Sequence, residues 1–238
     1  MYLSQSEGNV EGVISSARSL ATTNKHGLTP VGIEQGGNSA ENLLQIIGEH
    51  PPSSSNKNKH KVYFYSSPFA RAMQTAEACL AGLVNDENNV AKILELNLDI
   101  QKDNILIEDG IMERWFGDLD GEPLSTYGCV WPKDMIDPTQ TGKYNVESVA
   151  AVATRVRETI LRIEDSELHN TGSNNNEGGD IIVLVSHADT LQILQTYASG
   201  LKSIGDFSSY RFANGEVRYM GRTTDTLPEP QPLELPSV

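Results

Sequence analysis

Two short apolar runs stand out in the chain, and the longer segments between them repeat apolar residues every three or four positions. The runs are residues 62–65 (VYFY) and residues 181–185 (IIVLV). Short runs that are apolar at every position are typical of strands buried on both faces of a parallel sheet. Residues 105–112 also have an extended pattern. We therefore predict strands in these three places.

The remaining segments predict four helices, because their apolar residues fall on one helical face. Thr29 followed by Pro30 is a typical helix start, since threonine can cap the first turn and proline suits its first position. The other predicted starts are Ser67 with Pro68, Asn145 and Asp189, and the predicted ends are Gly48 and Gly200. The predicted buried faces are Ala40, Leu43, Leu44 and Ile47; Ala72, Thr75, Ala76, Cys79, Leu80 and Leu83; Val149, Val152, Ala153, Val156, Ile160 and Ile163; and Leu191, Leu194, Gln195 and Ala198.

Strands and helices alternate along the chain with short connections. This order predicts an α/β fold, a three-layer α/β/α sandwich with a mostly parallel sheet covered by helices on both faces. We predict a single domain over residues 1–222, followed by a proline-rich acidic tail over residues 223–238 that is extended or disordered. Two polar stretches, residues 51–61 and 170–179, are predicted to be flexible connections between a helix and a strand.

Composition limits the partners and the compartment. The 238 residues have a formal net charge of −14, which repels nucleic acid and anionic membranes at long range, so neither is expected as a partner. The two cysteines, Cys79 and Cys129, lack a CxxC spacing and predict reduced thiols in a cytoplasmic protein. Every apolar run is far too short to span a membrane, and no secretory leader is expected.

A first chemical cluster is YSSPFARAMQTAE, residues 65–77. In sheets of this class ligands bind beyond the carboxyl ends of the strands, where this segment passes from strand to helix. Arg71 falls in the first turn of the predicted helix, and a helix N-terminus with an arginine suits phosphate. Taken alone, the segment is better explained by a surface arginine near an ordinary cap.

Two further clusters follow predicted strands. His187 comes directly after the most apolar strand, where it can contact a ligand, although a core or capping histidine explains it equally well. Glu113 and Arg114 lie among Met112, Trp115 and Phe116 in IMERWFGDLDG. A carboxyl group with such neighbours can have its pKa raised enough to donate a proton near neutral pH. The alternative for this pair is an exposed ion pair on a loop.

Together, in this order, the segments resemble the histidine phosphatase superfamily, whose fold is that of phosphoglycerate mutases. The resemblance extends from about Gln5 to about Arg218, and SSPFARAMQTA and VSH are its most specific parts. The segments that carry it are the loop with Ser6 and Asn9, LTPVGIEQ (28–35), SSPFARAMQTA (66–76), MERWFGDLDG (112–121), ES (147–148) and VSHAD (185–189).

The resemblance implies a phosphomonoester hydrolase that works through a phosphohistidine, without metal or other cofactor, on a small phosphorylated metabolite or a phosphate anion. Arg71 and His187 then complete the phosphate pocket, and Glu113 is the proton donor. Asn9 contacts the phosphoryl group. Ser6 and Arg114 are further substrate-binding residues by the same match.

In one place the chain departs from the family pattern. The family carries its nucleophilic histidine in an R-H-G tripeptide that closes the first strand, and here Tyr2, Leu3 and Ser4 stand at the matching positions. The KHG at residues 25–27 follows no apolar strand and falls at a different family position. We therefore expect that the first strand is missing through start-site choice, splicing or annotation, and that the chain as written is inactive.

Three functions remain open. Family mutases have a tyrosine shortly after the Glu-Arg pair, where this chain has Phe116, and an Arg-Arg pair downstream, where residues 129–143 offer only Lys133 and Lys143. Without those donors a glycerate carboxylate is poorly held, which favours a phosphatase over a mutase. A non-catalytic module that binds phosphate or protein is the other alternative. The oligomeric state is left open.

Overall fold

The computed structural model describes residues 1–52, 59–170 and 179–233. Within these ranges the strands are β1 (His60–Ser66), β2 (Leu98–Ile107) and β3 (Ile181–Val185). The α-helices are α1 (Glu7–Glu11), α2 (Pro30–Glu49), α3 (Ala70–Asn85), α4 (Glu87–Glu95), α5 (Trp131–Asp134), α6 (Val149–Asn170) and α7 (Ala188–Ala198). Short 3-10 turns are formed by Arg18–Thr22, Asp109–Ile111, Gly117–Leu119, Leu124–Cys129, Ile204–Ser209 and Thr224–Thr226.

The three strands form one parallel sheet in the order β2-β1-β3. β1 is central, and its pairing with β2 is interrupted between Val62 and Phe64. At the carboxyl end of the sheet, Ser66 of β1 pairs with Ile107 of β2 on one side and with Val185 of β3 on the other. The segments that leave these strands therefore begin side by side at one edge of the sheet.

The first residues of the chain lie along β3. Tyr2 forms a parallel bridge with Ser186, and the Leu3 amide donates to the Ser186 carbonyl at 3.1 Å. Within the described residues this segment forms that one bridge and no longer strand. The residues that stand in place of the family tripeptide are therefore at the edge of the sheet, beside the strand that leads to His187.

Helices cover both faces of the sheet, which confirms the predicted α/β/α fold class. Val183 and Val185 point into one core with α2 and α3, whereas Leu184 between them packs into a second core with α6 and α7. The predicted helical faces are buried as expected, apart from Ile160 and Ala198, which are partly buried against the second core. The short apolar runs are strands because most side chains along them pack into one of these two cores.

The predicted helix starts are partly correct. Thr29 caps α2, because its hydroxyl accepts a hydrogen bond from the Gly32 amide at 3.0 Å. Ser67 does not cap α3: that helix begins at Ala70, and its cap residue Phe69 makes no side-chain cap hydrogen bond. The Ser67 hydroxyl is instead bonded to the ring of His187 at 2.8 Å, so a tertiary partner replaces the local one.

Asn145 and Asp189 are also not caps. Asn145 has a positive φ of 56° and donates to Asp118, while α6 starts at Val149 with the Ser148 hydroxyl accepting from the Ala151 amide at 3.2 Å. His187 is the cap residue of α7, and Asp189 lies buried inside its first turn. Partners distant in sequence determine both positions.

The other expectations concern connections and ends. Residues 105–112 are extended only up to Ile107, because the Glu108 carboxylate caps the 3-10 turn that follows. Most of the low-complexity stretches lie outside the described residues. The tail is packed as far as it is described: Gln231 donates to the Ser209 carbonyl and Leu233 contacts the second core. The domain boundary at residue 222 stays a prediction. No helix in the described ranges is both long and apolar enough to cross a membrane.

The close packing of α2 on α3 gives a first prediction. A Cβ atom at Gly82 would lie 2.5 Å from the Gly37 carbonyl oxygen, whereas a Cβ at Gly37 would meet nothing within 4 Å. Gly82→Ala should therefore lower the free energy of unfolding by about 1–3 kcal/mol through overpacking. Gly37→Ala is the matched control, and it should raise stability by about 0.5–1 kcal/mol because glycine is a poor helix former. Urea denaturation measures both, and equal effects would show that the two helices do not approach this closely.

Candidate active site

Ser67 and His187 follow strands β1 and β3 and lie next to each other at the end of the sheet. The Ser67 amide donates to the Val185 carbonyl at 3.0 Å, which holds the segment after β1 against the end of β3. His187 follows β3 and is fully buried, with its Nε2 at 2.8 Å from the Ser67 hydroxyl and its ring edge-on to Phe69. Burial, and then the positive charges of Arg71 and Arg155, hold the pKa of His187 well below its usual value. The imidazole is therefore neutral at pH 7, and its buried Nδ1 has no hydrogen-bond partner.

Arg71 is the cation of this region. It lies in the first turn of α3, as predicted, and its guanidinium is stacked 4.6 Å from the centre of the Phe69 ring. Nη2 donates to the Ser15 carbonyl at 2.7 Å and Nη1 donates to the Ser15 hydroxyl at 3.3 Å. Burial lowers the pKa of Arg71, and the nearby Glu113 opposes that effect. An arginine keeps its charge under such conditions.

The loop that brings Ser15 to Arg71 is held by hydrogen bonds from distant residues. The Asp120 carboxylate accepts from the Ser16 hydroxyl and from the Ala17 amide, both at 2.9 Å. Ser6 and Asn9 form a reciprocal capping box at the start of α1, with the Ser6 amide donating to Asn9 Oδ1 at 2.9 Å. Nothing local in the sequence pointed to the contact between Ser15 and Arg71, because these residues lie 56 positions apart.

Glu113 is positioned by the loop after β2. Its Oε1 accepts from the Arg114 amide at 2.9 Å and lies 3.4 Å from the Thr190 hydroxyl. The loop itself is fixed by Ser186, whose hydroxyl donates to the Ile111 carbonyl at 2.6 Å. Burial, and then the negative charge of Asp189, raises the pKa of Glu113 to about 7, although Arg71 pulls in the opposite direction. A carboxyl group with a pKa raised in this way keeps its proton to a higher pH than an exposed glutamate does.

A cavity of about 60 Å³ joins four of the predicted residues. Ser6, Asn9, Arg71 and Glu113 all contribute to its wall, whereas His187 and Arg114 do not. The other lining residues are Tyr2, Leu3, Gly8, Val13, Ile14, Ser15, Leu124, Tyr127 and Ala188. A larger open groove of about 880 Å³ lies elsewhere, between α2 and α4.

Arg114 has a different position from the one predicted. Its guanidinium is fully buried and makes two hydrogen bonds to the Asp134 carboxylate, at 2.7 and 2.9 Å, and a longer contact of 3.4 Å to Asp189. Burial by itself lowers the pKa of Arg114, but the hydrogen bonds and charges of Asp134 and Asp189 together outweigh it and raise that pKa. Because its charge is already neutralised inside the protein, Arg114 has no free donor face toward the cavity. The same contacts explain why Asp189 is buried: it accepts from Arg114 and from the Trp131 indole.

The described residues contain no group of three or more His, Cys, Asp or Glu side chains that could hold a metal ion. The two cysteines are free, with Cys79 buried and Cys129 exposed. The polar groups that line the cavity are one guanidinium, one carboxyl group and hydroxyl or amide groups.

The fold and the cavity define an α/β protein with a cationic site at the carboxyl end of its sheet. The family model of the histidine phosphatase superfamily (branch 1) matches residues 26–227. The chain belongs to this superfamily. The matched range contains Arg71, Glu113 and His187 but not Ser6, Asn9 or the residues before them.

Solved structures support the fold. A mycobacterial glucosyl-3-phosphoglycerate phosphatase, determined with VO3, is 18% identical, with 90% of this chain and 87% of that chain covered at a TM-score of 0.56. A protein titled mycobacterial hydrolase 2 is 18% identical, with coverages of 95% and 84% and a TM-score of 0.57. A candidate alpha-ribazole-5'-P phosphatase from Escherichia coli K-12 is 20% identical, with coverages of 90% and 84% and a TM-score of 0.53. A search of curated proteins gives no match.

The raised pKa of Glu113 predicts how stability depends on pH. Its folded value of about 7 lies above the value of about 4.3 expected in the unfolded chain. Between these values the folded protein binds a proton that the unfolded chain releases, so stability falls as the pH rises through this window. When the pH rises from about 5 to about 7.5, the free energy of unfolding of the Glu113→Gln variant should therefore fall less than that of the unsubstituted protein. Urea denaturation at both pH values measures the difference.

The exposed Glu34→Gln serves as the control for that experiment, because it removes a carboxyl group far from the cavity. Its pH dependence should match that of the unsubstituted protein. If Glu113→Gln also leaves the pH dependence unchanged, the carboxyl group of Glu113 is not held in its protonated form.

Proposed function

We propose that the chain has the site of a phosphomonoester hydrolase of the histidine phosphatase type, with a small phosphorylated metabolite as its ligand. The observation that carries the proposal is the position of Arg71: a buried guanidinium in the first turn of α3, on the wall of a small cavity that it shares with Glu113. A site of this kind reverses the sign of the potential locally in a chain whose net charge is −14.

The phosphoryl group is proposed to bind between Arg71 and the start of α3. No side chain caps the N-terminus of this helix, so its first amide groups can donate to an anion. Asn9 is the proposed contact to the phosphoryl group from the opposite loop. The Oδ1 atom of Asn9 itself accepts the hydrogen bond from the Ser6 amide in the capping box. His187 lies behind this position as a neutral ring, and we propose that it supports the phosphate site through Ser67 rather than as a cation.

Glu113 is the proposed proton donor. Expelling an alkoxide from a phosphomonoester is slow unless the leaving oxygen receives a proton, and an acid with a pKa near the working pH is the most effective donor. The pKa of about 7 and the place of Glu113 on the cavity wall support this role. The relatives determined with VO3 and with inorganic phosphate support a phosphate-like ligand.

The nucleophile is where this chain differs from its family. By the sequence resemblance Leu3 stands at the position of the nucleophilic histidine, and Leu3 lines the cavity. A leucine side chain cannot accept a phosphoryl group. We therefore propose that the chain as written binds phosphate and does not form a phosphohistidine.

This difference also favours a second function, a non-catalytic module that binds a phosphorylated ligand. A mutase is the less favoured alternative. Lys133 and Lys143 lie near the Tyr144 ring, at 5.9 and 4.6 Å from its centre, and neither contributes to the cavity. Phe116 is fully buried and packs edge-on against Tyr127.

Binding of inorganic phosphate should depend on Arg71. Arg71→Ala removes a charged hydrogen-bond donor and should weaken binding by about 1.5–3 kcal/mol. Isothermal titration calorimetry with phosphate or orthovanadate measures the affinity. The exposed Arg222→Ala is the matched control, since it removes the same charge away from the cavity and should leave affinity nearly unchanged. Equal affinity in the two variants would refute the proposed site.

The chain should carry no phosphohistidine. After incubation with acetyl phosphate, the protein is divided and one half is treated with acid, which cleaves phosphohistidine and spares phosphate esters. Leu3 lines the cavity but has no group that can attack phosphorus, and the buried, neutral His187 does not line the cavity. No acid-labile phosphate should therefore be found. Acid-labile label that disappears in His187→Ala would show that this histidine is the nucleophile.

A further inference from the structure

A second group of reactive side chains reaches the cavity through Ser15, which lines its wall. His26 Nδ1 is 2.7 Å from the Ser15 hydroxyl oxygen, and His26 Nε2 is 3.3 Å from a carboxylate oxygen of Glu11. Ser15 lines the cavity and also accepts the hydrogen bond from Arg71 at 3.3 Å. Hydroxyl, imidazole and carboxylate are thus connected in that order, with a guanidinium beside the hydroxyl.

The Glu11 carboxylate lies on the Nε2 side of the His26 ring, and the Ser15 hydroxyl lies on the Nδ1 side. A carboxylate next to Nε2 favours the tautomer that carries its proton on that nitrogen, which leaves Nδ1 to accept the hydrogen bond from the Ser15 hydroxyl. This is the arrangement of an activated nucleophile: a hydroxyl, a base within hydrogen-bond reach, and a third group that orients the base.

The backbone holds His26 in this place at some cost. Its φ is 56°, a left-handed conformation that is uncommon for residues other than glycine. The ring is buried with 6% exposure and covers Gly8, where a Cβ would lie 3.4 Å from the ring carbon Cγ. The Gly27 carbonyl accepts from the Glu7 amide at 2.9 Å, which ties the turn at His26 to α1.

We propose that Ser15 is a phosphoryl-accepting nucleophile, with His26 as its base, Glu11 as the residue that orients His26, and a phosphomonoester held by Arg71 as the substrate. The inference rests on the proposed phosphate site and supplies the acceptor that Leu3 cannot provide. The intermediate is a phosphoserine.

Atoms and protons are conserved over the two steps of the reaction. In the first, a bond forms between the Ser15 oxygen and phosphorus, the bond from phosphorus to the leaving oxygen breaks, the Ser15 proton moves to His26, and Glu113 protonates the leaving oxygen. In the second, water attacks phosphorus and gives a proton to Glu113, while the Ser15 oxygen departs and recovers its proton from His26. Inorganic phosphate is released and all side chains return to their first state.

Acetyl phosphate serves as the probe, because it is a small phosphoryl donor and can be used with the unsubstituted chain. After an acid quench, which spares phosphoserine, the protein is digested and the peptide containing Ser15 is analysed by mass spectrometry. The expected result is one phosphoryl group on Ser15 in the unsubstituted protein and none in Ser15→Ala. Phosphorylation of Ser15 should be slower by roughly 10²–10⁴-fold in His26→Asn, which removes the base.

The variants are chosen to separate chemistry from folding. Asparagine tolerates the positive φ at position 26 better than most residues, so His26→Asn should keep the turn. Glu11→Gln should slow phosphorylation less than His26→Asn, because the Glu11 side chain is 57% exposed and only orients the ring. His50→Asn is the matched control: that histidine is exposed, stacks on Tyr219 away from the cavity, and should leave the rate unchanged.

Phosphate affinity, measured by calorimetry on the same proteins, separates this inference from the proposed function. If the unsubstituted chain binds no phosphate, the proposed function fails. If it binds phosphate but Ser15 gains no acid-stable phosphoryl group, or gains it at an equal rate in His26→Asn, the inference is overturned and the hydrogen bonds of Ser15 only position Arg71.

Discussion

The parallel pairing of β1 with β3 is the contact on which the site depends. Ser66 and Val185 end their strands side by side, and the Ser67 amide donates to the Val185 carbonyl just beyond them. From this point one segment leads to Arg71 and the other to His187. The aliphatic side chains of the two strands are buried in cores on both faces, so hydrophobic burial fixes the register that brings the polar residues together.

A buried ionic cluster supports the loop that carries Glu113. Arg114 is bonded to Asp134 of α5 and contacts Asp189 of α7, so one guanidinium joins three separate segments. Burying such charges costs several kcal/mol of desolvation per ion, and good geometry is needed to offset it. Burial, as the largest cause, raises the pKa of Asp189 to about 6, while Arg114 and Trp131 lower it. The negative charge of Asp189 in turn disfavours ionisation of Glu113. The cluster therefore influences the proton donor without contacting the ligand.

The cavity combines groups in different protonation states. Arg71 is positively charged, His187 is neutral, and the pKa of Glu113 is raised to about 7, so that its proton is held up to near neutral pH. In each case burial is the main cause of the pKa shift, because the charged form loses water contacts. Arg71 on the cavity wall, with the charge of Arg155 nearby, can attract a phosphate even in an acidic chain. The hydrogen bond between Ser15 and His26 is partly buried, with the ring of His26 buried and Ser15 half-buried.

The sequence by itself determined two of the strands, the four long helices and the family, but not α1, α4, α5 or the start of β2. The apolar runs identified β1 and β3, helical spacing identified the buried helical faces, and Thr29 identified the start of α2. These features depend on neighbours within a few positions and on the burial of whole strand or helix faces. The motif around Arg71 and VSH sufficed for the superfamily. Tertiary structure decided the partners of single polar side chains. Ser67 bonds His187, Arg114 bonds Asp134, and Ser15 joins His26 to Arg71. A hydroxyl or carboxylate has several possible partners of similar strength, so only the packed chain selects the one that it meets.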